Sequence, residues 1–198
     1  MNNSAKNINP AISQVLFNEE QIKFRISEIA SQINDDYQDK HPVFVGVLKG
    51  VFIFMADLLR KIEIDCDVDF LAISNYSNDA RNRGMVRLVK DLEISIEGRH
   101  VLFIEDVIDT GLTLNFLLRN LQERNPASLR VCTLFNKASR RLIELPIQYK
   151  GFDLPDKFVV GYGLDYNEKY RNLPYVGIIK AEIFQQPANN GLKLKQGL

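Results

Sequence analysis

Apolar residues in this chain fall into two kinds of stretch. Residues 101–104 are a short unbroken apolar run, and Val43–Leu48 and residues 129–135 are short, mostly apolar stretches, the pattern of strands buried on both faces of a parallel sheet. Between them, apolar side chains recur at helical spacing. Ile22, Ile26, Ile29 and Ile33 mark one helix reaching about residue 37, and Leu114, Leu117, Leu118 and Leu121 mark another that ends near Asn125-Pro126. The first has a start signal: Asn18 with Gln21 three residues on makes a capping box, and Phe17 against Ile22 makes a hydrophobic staple. Residues 51–60 read as a further helix and 175–179 as a last strand. Residues 65–73 begin with strict alternation, placing Cys66, Val68 and Phe70 inward and leaving Asp65, Asp67 and Asp69 on a wet face. A polar stretch, 74–83, comes next and has the length of a lid, with 85–98 extending it as a hairpin. Strands alternating with helices predict an α/β fold, a mainly parallel twisted sheet flanked by helices, with ligand at the carboxyl ends of the strands.

Length and composition narrow the class. The 198 residues suit a single domain (1–198), with 1–14 a loose lead-in and 185–198 a mobile tail. Lys and Arg balance Asp and Glu to a formal net charge of zero, which argues against a nucleic-acid partner. No apolar run nears the roughly 18 residues of a membrane span, so no membrane partner is expected and the location expected is cytoplasmic. Cys66 and Cys132 stand apart in strand-like runs and form no metal or redox motif. His41 and His100 flank strands and join no catalytic cluster.

The candidate chemistry lies in HVLFIEDVIDTGLTL, residues 100–114. Val101, Leu102, Phe103 and Ile104 form the buried strand, and Glu105 and Asp106 end it. Neighbouring residues on a strand point to opposite faces, so these two acids diverge and can hold two separate things. Asp109, Thr110, Gly111, Leu112 and Thr113 then lead into the helix. The first turn of a helix offers unsatisfied amides and a positive dipole end, Gly111 lets the backbone come close, and the threonines add neutral donors. This is a phosphate cradle. Unlike a P-loop it has no lysine and carries three acids just upstream, so a monophosphate attached to a polyol suits it better than a bare polyphosphate.

That block resembles the phosphoribosyl pyrophosphate (PRPP) motif of type I phosphoribosyltransferases, and in this form the bacterial hypoxanthine-guanine branch of that family. The resemblance runs over about 40–181. It implies that Glu105 and Asp106 serve the ribose hydroxyls and nearby metal-bound water, that Asp109 handles the proton on purine N7, and that Thr110, Gly111, Leu112 and Thr113 take the 5′-phosphate. VGVLKG is similar to the loop whose Lys49-Gly50 holds pyrophosphate, through a peptide that can be cis. Arg171, in KYRNLP, matches the arginine that grips the same group. Lys137, in NKASRR, matches the lysine that reaches the purine 6-oxo group, with Arg141 supporting its loop. An ammonium only donates, so it suits a carbonyl and not the amino group of adenine. PDKFVVGYGLDY resembles the base-binding segment: Phe158 stacks on the purine, the Val159 backbone meets its edge, and Asp165 faces metal or base.

The reaction implied by this resemblance is transfer of a ribosyl phosphate from PRPP to N9 of hypoxanthine or guanine, with Mg2+ held by Glu105, Asp106 and Asp165. A small hood over the base, a flexible lid and a homodimer or homotetramer are also implied. The lid departs from the pattern: Ser74, Asn75, Tyr76 and Ser77 stand where relatives have Ser-Ser-Tyr-Gly. Two other readings stay open, a regulator that senses PRPP on the same fold and a transferase for adenine or a pyrimidine. Lys49, Arg171 and the neutral charge speak against the first, and Lys137 with Phe158-Val159 against the second.

Overall fold

The computed structural model describes residues 8–75 and 86–184; Tyr76, most of the expected lid and the expected tail lie outside them. In chain order the elements are β1 (Ile12–Phe17), α1 (Glu19–Tyr37), β2 (Val43–Leu48), α2 (Phe52–Leu59), β3 (Asp67–Asn75), β4 (Val86–Lys90), β5 (His100–Ile108), α3 (Leu112–Gln122), β6 (Ser128–Asn136), β7 (Ile147–Asp153), β8 (Val159–Val160), β9 (Val176–Ile179) and the short α4 (Ala181–Phe184). Six strands form one sheet in the order β4-β3-β2-β5-β6-β7. All its pairings are parallel except β3 with β4; residues 85–98 do not form the expected hairpin, because β4 pairs back with β3 and 91–98 carries no strand.

The most apolar stretches occupy the middle of this sheet because both faces are covered. Val101, Leu102, Phe103 and Ile104 are all 0% exposed. Alternate residues serve opposite layers. Phe44, Leu102 and Ile104 pack with Ile22, Ile26, Ile29 and Ile33 of α1 and with Phe54 and Leu58 of α2. Val43, Val45, Val101 and Phe103 pack with Leu114, Leu117 and Leu121 of α3. The capping box at Asn18 is complete in both directions, and Phe17 packs against the layer that contains Ile22.

Two further expectations need correction, and one strand was not foreseen. The lead-in of 1–14 is not loose throughout, because β1 begins at Ile12 and pairs antiparallel with β9. Its partner comes from the other end of the chain, so nothing local announces it. The unforeseen strand is β7, which alternates only over residues 147–150 before Gly151 and Phe152 break the phase, and it closes the sheet beside β6. Finally, Asp69 does not face water. It is 6% exposed, whereas Val68 is 37% exposed, because the segment after β4 folds back over that face. Asp69 there accepts hydrogen bonds from the amides of Phe70, Glu93 and Ile94 and pairs with Lys90 at 3.2 Å.

A second sheet, β1-β9-β8, forms a small separate layer around Ile12, Val160, Leu173, Tyr175 and Ile179. Between β2 and β5 the chain's direction of travel across the main sheet reverses. Such a switch point opens a crevice beyond the strands' carboxyl ends, and the loops after β2 and β5 are the ones that line it.

Candidate active site

The loop after β5 forms because the strand runs on to Ile108, two residues past the acids, held by pairing of Ile108 with Asn136 on β6. Gly111 then takes φ +84°, and α3 starts at Leu112. A left-handed residue must stand here to turn the strand into the helix, and a Cβ on it would also meet Leu145 Cδ1 at 2.9 Å and Arg141 Cδ at 3.2 Å. Arg141 therefore lies under the cradle loop, with its NH2 donating to Asn136 Oδ1. Thr110 O accepts from the amide of Leu142 at 3.0 Å, tying the cradle to the basic turn after β6.

Glu105 and Asp106 do diverge. Glu105 lines a cavity of about 160 Å³ with Asp109, Thr110, Gly111 and Thr113. Asp106 lines another, of about 210 Å³, with Lys137, Phe158, Val159, Asp165 and Arg171. Asp109 lines both. Burial and then the charge of Asp106 hold the Glu105 carboxyl well above the usual carboxylate range. Burial pushes Asp106 up to about 6, even though backbone amides and the Arg171 guanidinium oppose the shift.

Lys49-Gly50 approaches from the neighbouring strand, and the Leu48–Lys49 peptide is cis. The approach is tight enough that a Cβ on Gly50 would lie 1.9 Å from Asp106 Oδ2, and one on Gly163 would lie 2.3 Å from Gly50 O. Only glycine lets these three loops meet. Lys137 is 8% exposed and donates to Lys157 O at 3.1 Å; burial lowers its pKa, against the pull of Asp109. Phe158, 40% exposed, meets Tyr166 edge to face with centroids 5.6 Å apart. Val159 is buried and pairs with Ile178 of β9. Ser74 and Asn75 end β3 on the lid side.

Among the described residues no three His, Cys, Asp or Glu side chains gather as a metal cage. Asp106 and Asp165 share one cavity while Glu105 opens into the other, so the three carboxylates expected to hold Mg2+ are not brought together. Two carboxylates nonetheless fit a magnesium ion that retains waters and takes further oxygens from substrate phosphates.

Sequence reasoning missed two neighbours. Arg140 Nε lies 3.0 Å from Asp109 Oδ1, an ion pair across two loops that only the β5–β6 pairing creates. Glu168 Oε2 lies 3.2 Å from Lys49 Nζ and 3.4 Å from Arg171 NH2. Its position three residues before Arg171 in a polar turn was the one available signal.

Comparison with known proteins places this arrangement. The model of the phosphoribosyl transferase domain matches residues 14–167. The chain belongs to the phosphoribosyltransferase family. It is 44% identical over 174 residues to the hypoxanthine-guanine phosphoribosyltransferase of Bacillus subtilis, covering 88% of this chain and 97% of that protein. To the enzyme of the same name from Mycobacterium avium it is 47% identical over 181 residues, covering 88% and 89%. The crystal structure of a hypoxanthine phosphoribosyltransferase from Staphylococcus aureus superposes with a TM-score of 0.84 at 43% identity, over 89% of this chain and 96% of that one. The β5–α3 loop lies within the matched residues, and the fold expected for this phosphoribosyltransferase is the one found. No helix among the described residues is long and apolar enough to cross a membrane.

Proposed function

We propose that this phosphoribosyltransferase moves the 5-phosphoribosyl group of PRPP onto N9 of hypoxanthine or guanine, forming the nucleoside monophosphate and pyrophosphate. The observation that carries the proposal is Asp109 between the two cavities, one lined by the anion cradle and one by Lys137 and Phe158. A base on the aromatic side and a ribose phosphate on the helix side then meet at one carboxylate.

In this scheme the 5′-phosphate rests on Thr110, Gly111, Leu112 and Thr113, where neutral donors and the helix end stabilise it. The ribose hydroxyls face Glu105 and Asp106. Phe158 stacks on the purine, the Val159 backbone meets its edge, and Lys137 donates to the 6-oxo oxygen. Asp109 accepts the N7 proton while N9 bonds to the sugar's anomeric carbon and the carbon–oxygen bond to diphosphate breaks. Lys49, Gly50 and Arg171 take the growing negative charge on the departing group. Asp106 and Asp165 would hold a magnesium ion, which would add positive charge beside the departing diphosphate. Free thiols at Cys66 and Cys132 fit a reducing cytoplasm, and a homodimer or homotetramer is the assembly we infer.

The test is to incubate the protein with PRPP, Mg2+ and a panel of bases. Hypoxanthine and guanine should be consumed and adenine spared, because Lys137 cannot accept a hydrogen bond from an amino group. Comparable turnover of adenine would overturn the assignment of Lys137.

A further inference from the structure

The two cations assigned to the leaving diphosphate already hold an anion. Glu168 Oε2 lies 3.2 Å from Lys49 Nζ and 3.4 Å from Arg171 NH2, so one carboxylate oxygen spans the loop after β2 and the loop after β8. The turn carrying Glu168 is built to keep it there. Its amide donates to Asp165 Oδ2 at 2.9 Å, and both Asn167 and Glu168 have positive φ, 52° and 61°. The two cations are held differently. Arg171 is 19% exposed, anchored on Gly163 O at 2.8 Å and paired with Asp165 Oδ1 at 2.8 Å, so Glu168 is its second and more distant carboxylate; Lys49 and Glu168 are 68% and 65% exposed. An exposed pair of this kind is weak and readily exchanged.

We propose that Glu168 is an exchangeable counter-ion for the leaving-group site: its carboxylate occupies Lys49 and Arg171 in the free enzyme, diphosphate displaces it, and its return helps expel pyrophosphate. The proposal rests on the assignment of Lys49 and Arg171 to the diphosphate. Its physical logic is competition between a tethered anion and a free one. While diphosphate is joined to the ribose, the cradle and the sugar contacts add to its hold, and it outcompetes a single carboxylate. Once the bond to carbon breaks, pyrophosphate keeps only its own contacts, and a carboxylate fixed beside the same cations competes at high effective concentration. The Lys49 ammonium, and then Arg171, hold the Glu168 carboxyl below the usual range, so it is charged throughout the neutral region.

Product inhibition by magnesium pyrophosphate tests this in the full-length enzyme. Glu168→Gln keeps the size of the side chain and removes its charge. The variant should bind pyrophosphate about two- to fivefold more tightly, the scale of an exposed ion pair, and should release it more slowly in single-turnover experiments. Lys49→Ala should weaken pyrophosphate inhibition, and in that background Glu168→Gln should have a smaller effect than alone, because the two act through one contact. Unchanged or weaker inhibition in Glu168→Gln, with Lys49→Ala behaving as expected, would overturn the exchange role alone. Unchanged inhibition in Lys49→Ala would instead overturn the assignment of the cation to diphosphate.

Discussion

Two glycines with the same backbone sign but different surroundings separate what the anion cradle demands. Gly111 has φ +84° and a crowded Cβ position, with Leu145 at 2.9 Å and Arg141 at 3.2 Å; Gly98 has φ +67° and nothing within 4 Å. Alanine at either site places an L side chain in the left-handed region, at about 1–2 kcal/mol. Alanine also stiffens the unfolded chain, which returns about 0.4–1 kcal/mol at both sites. Only Gly111→Ala adds crowding, about 1 kcal/mol or somewhat more because Leu145 Cδ1 is the movable end of a side chain. We therefore expect Gly111→Ala to destabilise the fold by about 1–3 kcal/mol and Gly98→Ala by about 1 kcal/mol or less. Function should divide more sharply. Relief of the clash moves the loop whose amides face the phosphate, and losing one charge-assisted hydrogen bond weakens binding of a nucleoside monophosphate roughly tenfold or more. Gly98→Ala, far from the loop in the turn before β5, should bind normally. Urea unfolding and nucleotide titration on both variants decide the matter. Equal losses of stability would refute the crowding argument, and normal nucleotide affinity in a folded Gly111→Ala protein would refute the cradle.

Asp109→Asn should lower kcat by about 10² or more, the scale of a lost acid–base group, while PRPP binding stays largely intact. Its ion pair with Arg140 is about half exposed, at 46% and 42%, so stability should change by less than about 1 kcal/mol and near-native turnover would remove Asp109 from the chemistry. Asp69→Asn is a pH experiment. Burial pushes the Asp69 carboxyl up, but the amides of Ile94, Phe70 and Glu93 together with Lys90 outweigh it and hold the folded pKa below the usual value. A lowered folded pKa adds stability above the unfolded value that is lost as pH falls through the folded one, so wild type should exceed Asp69→Asn by roughly 1–3 kcal/mol at neutral pH. The gap should close below about pH 4, and a gap independent of pH would show that charge is not what Asp69 contributes.

Whatever is carried by neighbours along the chain could be read before any folding was known. The buried run 101–104, the acids directly after it and the glycine before the leucine stripe are local, and they specify strand, loop and helix without help. The divergence of Glu105 and Asp106 came from strand geometry alone, as did the capped first helix from Asn18 and Gln21. Features that depend on partners distant in sequence emerged only on folding. β1 exists as a strand because β9 lies beside it, and Asp69 is buried because a later segment covers it. Asp109 meets Lys137 and Arg140 only because β6 pairs in register with β5. Glu168 reaches Lys49 only because the turn after β8 folds back over the loop after β2. Local patterns fix backbone shape, through hydrogen bonds and burial within a few residues. Which charges face each other across a crevice is set by the packing of whole elements, and no periodicity in the chain records it.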